Sequence, residues 1–398
     1  MPVQLGMMSL MMIQKKLSAP RPKALKAMPL FARYFSTVLN FLLIKYFLVT
    51  GKPELAASLA IYASYFDAVA MADFGNRNKI IADQTAKVHV AVSLVLLAIT
   101  YFIVVAINPG NSALATPWFV AYGLLYLFIL ESYRLLYRRA YLAYSIPSVL
   151  IQALIFLFVL LSSEREFMGS SPDVVLIAWT LLPVALPGIL FAFNSEMSTK
   201  VALIPNQRDM VNSLSSSLLY LSSYFAISYA YSWIKDAHQV VLLSVALRIL
   251  NVTGIYALWT QVHVVDYKGS ESKWRRLAGK SLLPGLVQTL FSLGVYFLVV
   301  KFAFRELEGD LLNIATFTIG AAYVFSRNAS AVINAMLLAS DKVRVFVIIE
   351  GVATALIMLT RQFMDADFIH SFASIAAFQV TFVMVYVAYM TKFERKEG

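Results

Sequence analysis

Apolar runs of about 20 residues recur along this chain, and each is long enough to cross the hydrocarbon core of a bilayer as a helix. Twelve can be placed, at about 29–50, 54–74, 88–107, 114–134, 141–162, 173–193, 211–233, 238–262, 281–303, 311–338, 343–362 and 367–390. Few folds accept such a pattern. Inside a membrane every backbone N–H and C=O must be satisfied within the protein, so only helices and closed barrels span. Barrel strands alternate polar and apolar residues, whereas these runs are continuous, which excludes a barrel. The 398 residues are 60 % hydrophobic and 14 % charged. A soluble domain has about 45–50 % apolar and 25 % charged residues, so a soluble enzyme is excluded too. The expected fold is an all-α polytopic membrane protein with about twelve transmembrane helices.

The net charge of +11 suggests nucleic acid at first sight. Its distribution points instead to membrane topology. With the N-terminus inside, the inside segments hold 24 of the 33 basic residues, the outside loops six, and the spans three (Lys45, Arg248 and Arg327). That bias follows the positive-inside rule and places both termini in the cytoplasm, with no nucleic-acid partner required. Residues 1–28 read as a cytoplasmic basic segment. Their basic cluster follows the apolar stretch Met7–Ile13, the reverse of a signal peptide. There is no cysteine, hence no disulfide, thiolate site or Cys nucleophile. His89, His238, His263 and His370 have no metal-ligand spacing. No Walker motif is present, so no nucleotide cofactor is expected.

Span 2 ends in Met71-Ala-Asp73-Phe-Gly75-Asn-Arg77-Asn-Lys79, and span 8 leads to Val265-Asp266-Tyr-Lys268-Gly269 and then Lys273-Trp-Arg275-Arg276. Both are acidic-aromatic-glycine turns running into a basic segment. They lie six spans apart, as in a protein made of two six-helix halves (29–200 and 201–398), an arrangement typical of secondary transporters.

Charge within the membrane costs several kcal/mol and marks functional candidates. Arg248 and Arg327 each lie near the midplane by rise per residue. Each belongs to a polar stripe on one helix face: Ser244, Arg248 and Asn251 on span 8, and Thr316, Tyr323, Arg327, Ser330 and Asn334 on span 10. Two readings stand. The arginines pair with acids such as Asp67 or Glu350, or they face a hydrated cavity that attracts an anion, for which forked guanidinium donors suit pyrophosphate. Asp67 and Glu350 are the ion-coupling candidates, as carriers of H+ or ligands of Na+; a salt-bridge role is the alternative. Asp73 reads as a turn or cap residue, and Lys45 as a side chain snorkelling to the headgroups. In span 7, Ser213, Ser217, Tyr220, Tyr224, Ser228 and Tyr231 share one face. That face serves either helix packing or a wall of hydroxyls and rings for sugars. Pro183 and Pro187 invite a kink in span 6.

Several stretches resemble the Wzx-type polysaccharide flippases of the multidrug/oligosaccharidyl-lipid/polysaccharide exporter superfamily. They are Leu48-Val-Thr-Gly51-Lys-Pro-Glu54 through Tyr65-Phe-Asp67 to Ala72-Asp73-Phe74-Gly75-Asn76-Arg77-Asn78, Val245-Ala-Leu-Arg248-Ile-Leu with Leu258-Trp259-Thr260 to Lys273-Trp274, and Asn334-Ala-Met-Leu-Leu-Ala-Ser340-Asp-Lys342. Two departures stand out: Asn76-Arg77-Asn78 replaces the second glycine of the first turn, and Gln261-Val-His263-Val replaces a Pro-Ala-acidic pattern. The resemblance implies two six-helix lobes around a central cavity in a bacterial inner membrane. It implies an undecaprenyl-pyrophosphate-linked oligosaccharide, an O-antigen or capsule repeat unit, as the substrate. The unit is flipped to the outer leaflet under an ion gradient, beside a polymerase and ligase of the same pathway. Arg248, Arg327, Asn251, Asn334, Ser217, Tyr220 and Tyr224 are the expected substrate-binding residues, with no catalytic residue and no metal. Two alternatives remain: an ion-coupled small-molecule antiporter, and a membrane polysaccharide polymerase or acyltransferase using His89 or His370 as a base.

Overall fold

A computed structural model describes residues 23–73, 76, 80, 87–107, 112–137, 140–162, 172–192, 230–231, 233–251, 271–339, 343–361 and 363–397. Among these residues there is no strand. The helices in chain order are α1 (Lys23–Val49), α2 (Pro53–Ala72), α3 (Val90–Ile107), α4 (Ser112–Tyr137), α5 (Tyr141–Ser162) and α6 (Pro172–Ala192). They continue with α7 (Ala237–Asn251), α8 (Glu271–Ala303), the short α9 (Glu308–Leu311), α10 (Ile314–Ala339), α11 (Val343–Arg361) and α12 (Phe368–Glu397). Eleven expected spans coincide with a helix to within a few residues at most ends. The larger differences are at α1 and α8, which start earlier than expected, α12, which runs on to Glu397, and α7, whose described part stops at Asn251. Most of span 7 (211–229), the linker 194–209 and the turn 252–270 lie outside the described residues.

Among the described residues five stretches are long and apolar enough to cross a membrane: Ser112–Leu135, Tyr141–Ser162, Pro172–Ala192, Gly285–Ala303 and Phe368–Ala388. Their side chains are distributed inside out relative to a soluble bundle. On α5 the buried residues are Ser145, Gln152, Val159 and Ser162, while Leu142, Ile146, Leu150, Leu154, Leu157 and Leu161 are exposed. Both sets repeat at helical spacing on opposite faces. A helix that hides its polar groups and presents leucine outward is solvated by lipid tails.

The turn from α1 to α2 follows from its sequence. Gly51 adopts φ 70°. Its N–H donates to the Leu48 carbonyl at 3.1 Å, and the Lys52 N–H to the Phe47 carbonyl at 2.8 Å. This is the Schellman arrangement, which needs a left-handed residue after the helix and so favours glycine. Pro53 then opens α2, where its missing N–H costs nothing.

Helices α1–α6 pack on one another through α1–α5, α2–α3, α3–α4, α4–α6 and α5–α6. Helices α7, α8, α10, α11 and α12 form a second set through α7–α8, α8–α10, α10–α12 and α11–α12. The main contact between the sets is α2 against α7. Helices α4 and α6 come close together at Gly188 of α6, where a Cβ would stand 1.9 Å from the Phe128 carbonyl oxygen of α4. The two prolines leave α6 a continuous helix. Pro187 lacks an N–H, and the next donor, the Gly188 N–H, bonds the Ser132 hydroxyl at 2.7 Å. A neighbouring helix thus satisfies the backbone around the proline.

Candidate functional site

Helix α7 is enclosed almost completely. From Val240 to Leu250 every residue except Arg248 is buried. Arg248 lies about 17 Å along the helix from its start, and Arg327 about 20 Å along α10, by a rise of 1.5 Å per residue. The facing polar stripes meet there. The Arg248 Nε–H donates to the Ser244 hydroxyl one turn back at 3.0 Å. One turn on, Asn251 Oδ1 accepts from the Tyr323 hydroxyl at 2.9 Å and from the Arg327 guanidinium. Ser244 and Tyr323 are buried, whereas Arg248, Asn251 and Arg327 remain partly exposed. Gly320, one turn before Tyr323, faces this seam: its Cβ position is at ordinary contact distance, 3.4 Å from Leu250 of α7 and 3.7 Å from Phe372 of α12.

The partners seen here are a hydroxyl and an amide, both neutral. Among the described residues no carboxylate lies within ion-pair distance of Arg248, and its Nη groups carry no protein hydrogen bond. A cation held among apolar helices is desolvated at a cost. An anion beside Arg248 would offset it. Guanidinium offers five N–H donors, of which Ser244 takes one from Arg248.

Other expected residues fall elsewhere. Glu350 is buried on α11, where the Thr354 hydroxyl donates to its backbone carbonyl at 2.8 Å. The backbones of Asp67 and Asn334 lie in α2 and α10, and their side chains lie outside what is described, as do Ser217, Tyr220 and Tyr224. His370 and Asp367 form a cap at the start of α12. Asp367 Oδ1 accepts the His370 N–H at 2.8 Å and lies 2.8 Å from its ring Nδ1. His89 is buried, its N–H donating to Asn76 Oδ1 at 3.0 Å.

Three features overturn or escape the sequence reading. Lys45, expected to reach the headgroups, makes an ion pair with Glu306, 261 positions away, at 2.5 and 2.6 Å, a partner the sequence did not name. Arg361, counted with the outer loops, is 2 % exposed. It donates to the Ala230 carbonyl at 3.2 Å and the Ser371 hydroxyl at 2.9 Å, and lies over the Trp233 ring. Asp73 does cap α2 as expected, but it also anchors an unforeseen buried network. The Tyr126 hydroxyl donates to Asp73 Oδ1 at 3.1 Å. Asn76 Nδ2 donates to the Ser93 and Tyr126 hydroxyls at 2.9 and 3.0 Å. The network pins the end of α2 to α3 and α4. Its one visible signal was Asn76, a residue with two donors and an acceptor.

Among the described residues no group of three His, Asp or Glu is arranged to hold a metal. Set against known proteins, the chain matches no family model, no curated protein and no solved structure.

Proposed function

We propose that this chain is an alternating-access flippase that moves an undecaprenyl-pyrophosphate-linked oligosaccharide from the cytoplasmic to the outer leaflet of a bacterial inner membrane. The observation that carries the reading is the seam of Arg248, Asn251 and Arg327, partly exposed and held by Ser244 and Tyr323. A pyrophosphate is the anion that forked donors match best, and its membrane-embedded tail explains why the cations lie deep among apolar helices. The division of contacts into α1–α6 and α7–α12 supports two lobes that rock about α2 and α7. In this reading both termini are cytoplasmic, and the hydroxyl-and-aromatic face of span 7 (Ser217, Tyr220, Tyr224) and Asn334 face the sugars. Asp67 or Glu350 carries the coupling H+ or Na+, and a polymerase and ligase take the product. The seam offers cations to its ligand, which disfavours an exporter of cationic drugs.

The test is a clean gene deletion with mass spectrometry of the polyprenyl lipids. Completed repeat units should accumulate on the cytoplasmic leaflet while surface polymer is lost, and the parent gene should restore both. Arg248→Ala or Arg327→Ala should lower the restored flipping about 10- to 100-fold, since a hydrogen bond to a charged group contributes about 1.5–3 kcal/mol. Full flipping by the double variant would refute the role of the seam. Completed units already exposed outside would point to polymerisation or ligation, and unchanged lipids to a small-molecule antiporter.

A further inference from the structure

The connection between α8 and α10 is an ordered strap rather than a plain loop. It runs from Phe304 through a 3-10 turn (Arg305–Leu307) and α9 to Leu312. Phe304, Leu307 and Leu311 are each at most 1 % exposed. The Tyr296 hydroxyl of α8 donates to the Leu311 carbonyl at 2.8 Å, and His238 at the start of α7 lies 3.8 Å from Asp310. The strap therefore belongs firmly to the second set of helices. Across it, two contacts reach α1 of the first set. Lys45 pairs with Glu306 at 2.5 Å, and the Phe41 ring meets Phe304 edge-on at 6.0 Å. Lys45 also lies 5.9 Å from the centre of the Phe304 ring. Both ends of the ion pair are about one-third exposed. It is thus a bond that water can compete for, across a seam between sets whose main other contact is α2 with α7.

We propose that this strap is the latch of the outer gate: Lys45–Glu306 and Phe41–Phe304 hold the two sets together on the side where cargo leaves, and must part for it to leave. The inference rests on the alternating-access reading above and on the orientation given by the charge count. Its strength suits a gate. A partly exposed ion pair adds little stability, so it biases the closed state without trapping it, and an edge-on ring pair can part without leaving a charge buried.

The chain contains no cysteine, so introduced thiols report alone. Val49 and Ile314 lie near the two ends of the latch and are 72 % and 87 % exposed. Spin labels at Val49→Cys and Ile314→Cys, in lipid nanodiscs, give the distance across the gate by pulsed electron resonance. The parent should show mainly a short distance. Lys45→Ala or Glu306→Ala should raise the ratio of long to short populations about two- to fivefold, and the exchange Lys45→Glu with Glu306→Lys should bring it back. Identical distributions in parent and single variants, or an exchange no better than either single change, would overturn the latch. A second arm bridges Lys45→Cys and Glu306→Cys with a short bifunctional thiol reagent. Bridged chains should stop flipping, and flipping at the unbridged rate would likewise overturn the proposal. The distance measurement needs no cargo. A chain that opens by this latch but leaves polyprenyl lipids unchanged would overturn the flippase reading and uphold the gate.

Discussion

Replacing Gly188 by alanine should loosen α4 from α6. The added Cβ would lie 1.9 Å from the Phe128 carbonyl oxygen, 2.7 Å from its carbon and 2.9 Å from the Ser132 hydroxyl. Ordinary contact begins near 3.5 Å, so α4 must withdraw by roughly 1.5 Å. Two of the three obstacles are backbone atoms, which cannot rotate away as a side chain does. Overpacking of this kind costs about 1–3 kcal/mol. The withdrawal also stretches the buried bond from the Gly188 N–H to Ser132, a further 0.5–1.5 kcal/mol or so. Alanine returns about 1 kcal/mol of helix propensity. The net loss is about 2 kcal/mol, or roughly 2–3 °C in the thermal midpoint. The assay is heating in mild detergent followed by size-exclusion of the surviving fold. Gly294 of α8 supplies the control, because nothing lies within 4 Å of its Cβ position. Gly294→Ala should leave the midpoint unchanged or raise it slightly. A Gly188→Ala protein that melts with the parent, or a Gly294→Ala protein that falls equally, would refute the argument from close approach.

Tyr323→Phe removes the hydroxyl that holds Asn251 and little else, so flipping should fall several-fold with the thermal midpoint within about 2 °C, given about 1 kcal/mol for one hydrogen bond; an equal fall in both would make Tyr323 a packing residue alone. Asn76→Ala leaves the Ser93 and Tyr126 hydroxyls and the His89 N–H without their shared partner. It should destabilise the fold by about 2 kcal/mol, read by the same heating assay, because the deserted His89 N–H costs about 1–3 kcal/mol while the two hydroxyls still bond Asp73.

The helices were legible because hydrocarbon leaves the backbone no alternative: a run of about 20 apolar residues has to be helix, and most ends fell where charge or a turn interrupts it. The stripe on α10 was legible for the same reason. A helical period fixes which residues share a face, and Tyr323 and Arg327 do converge on Asn251. Pairings between distant helices were not legible. Nothing local in Lys45 names Glu306, and Arg361 beside a predicted loop gives no sign that Trp233 and Ser371 close over it. Charge counting places a cation on a side of the membrane and says nothing about depth. The α2–α3–α4 network was hidden because its members are common polar residues whose significance lies only in their meeting.

The near-total enclosure of α7 also sets an order of assembly. This helix touches α2, made before it, and α8, α10 and α12, made after it. Helices α1–α6 can settle against one another while the ribosome is still working. Helix α7 carries Arg248, and a charged residue rests poorly in lipid without neighbours. Its enclosure is complete only when α8, α10 and α12 have joined α2 around it, so α12 is the last of these walls to be made.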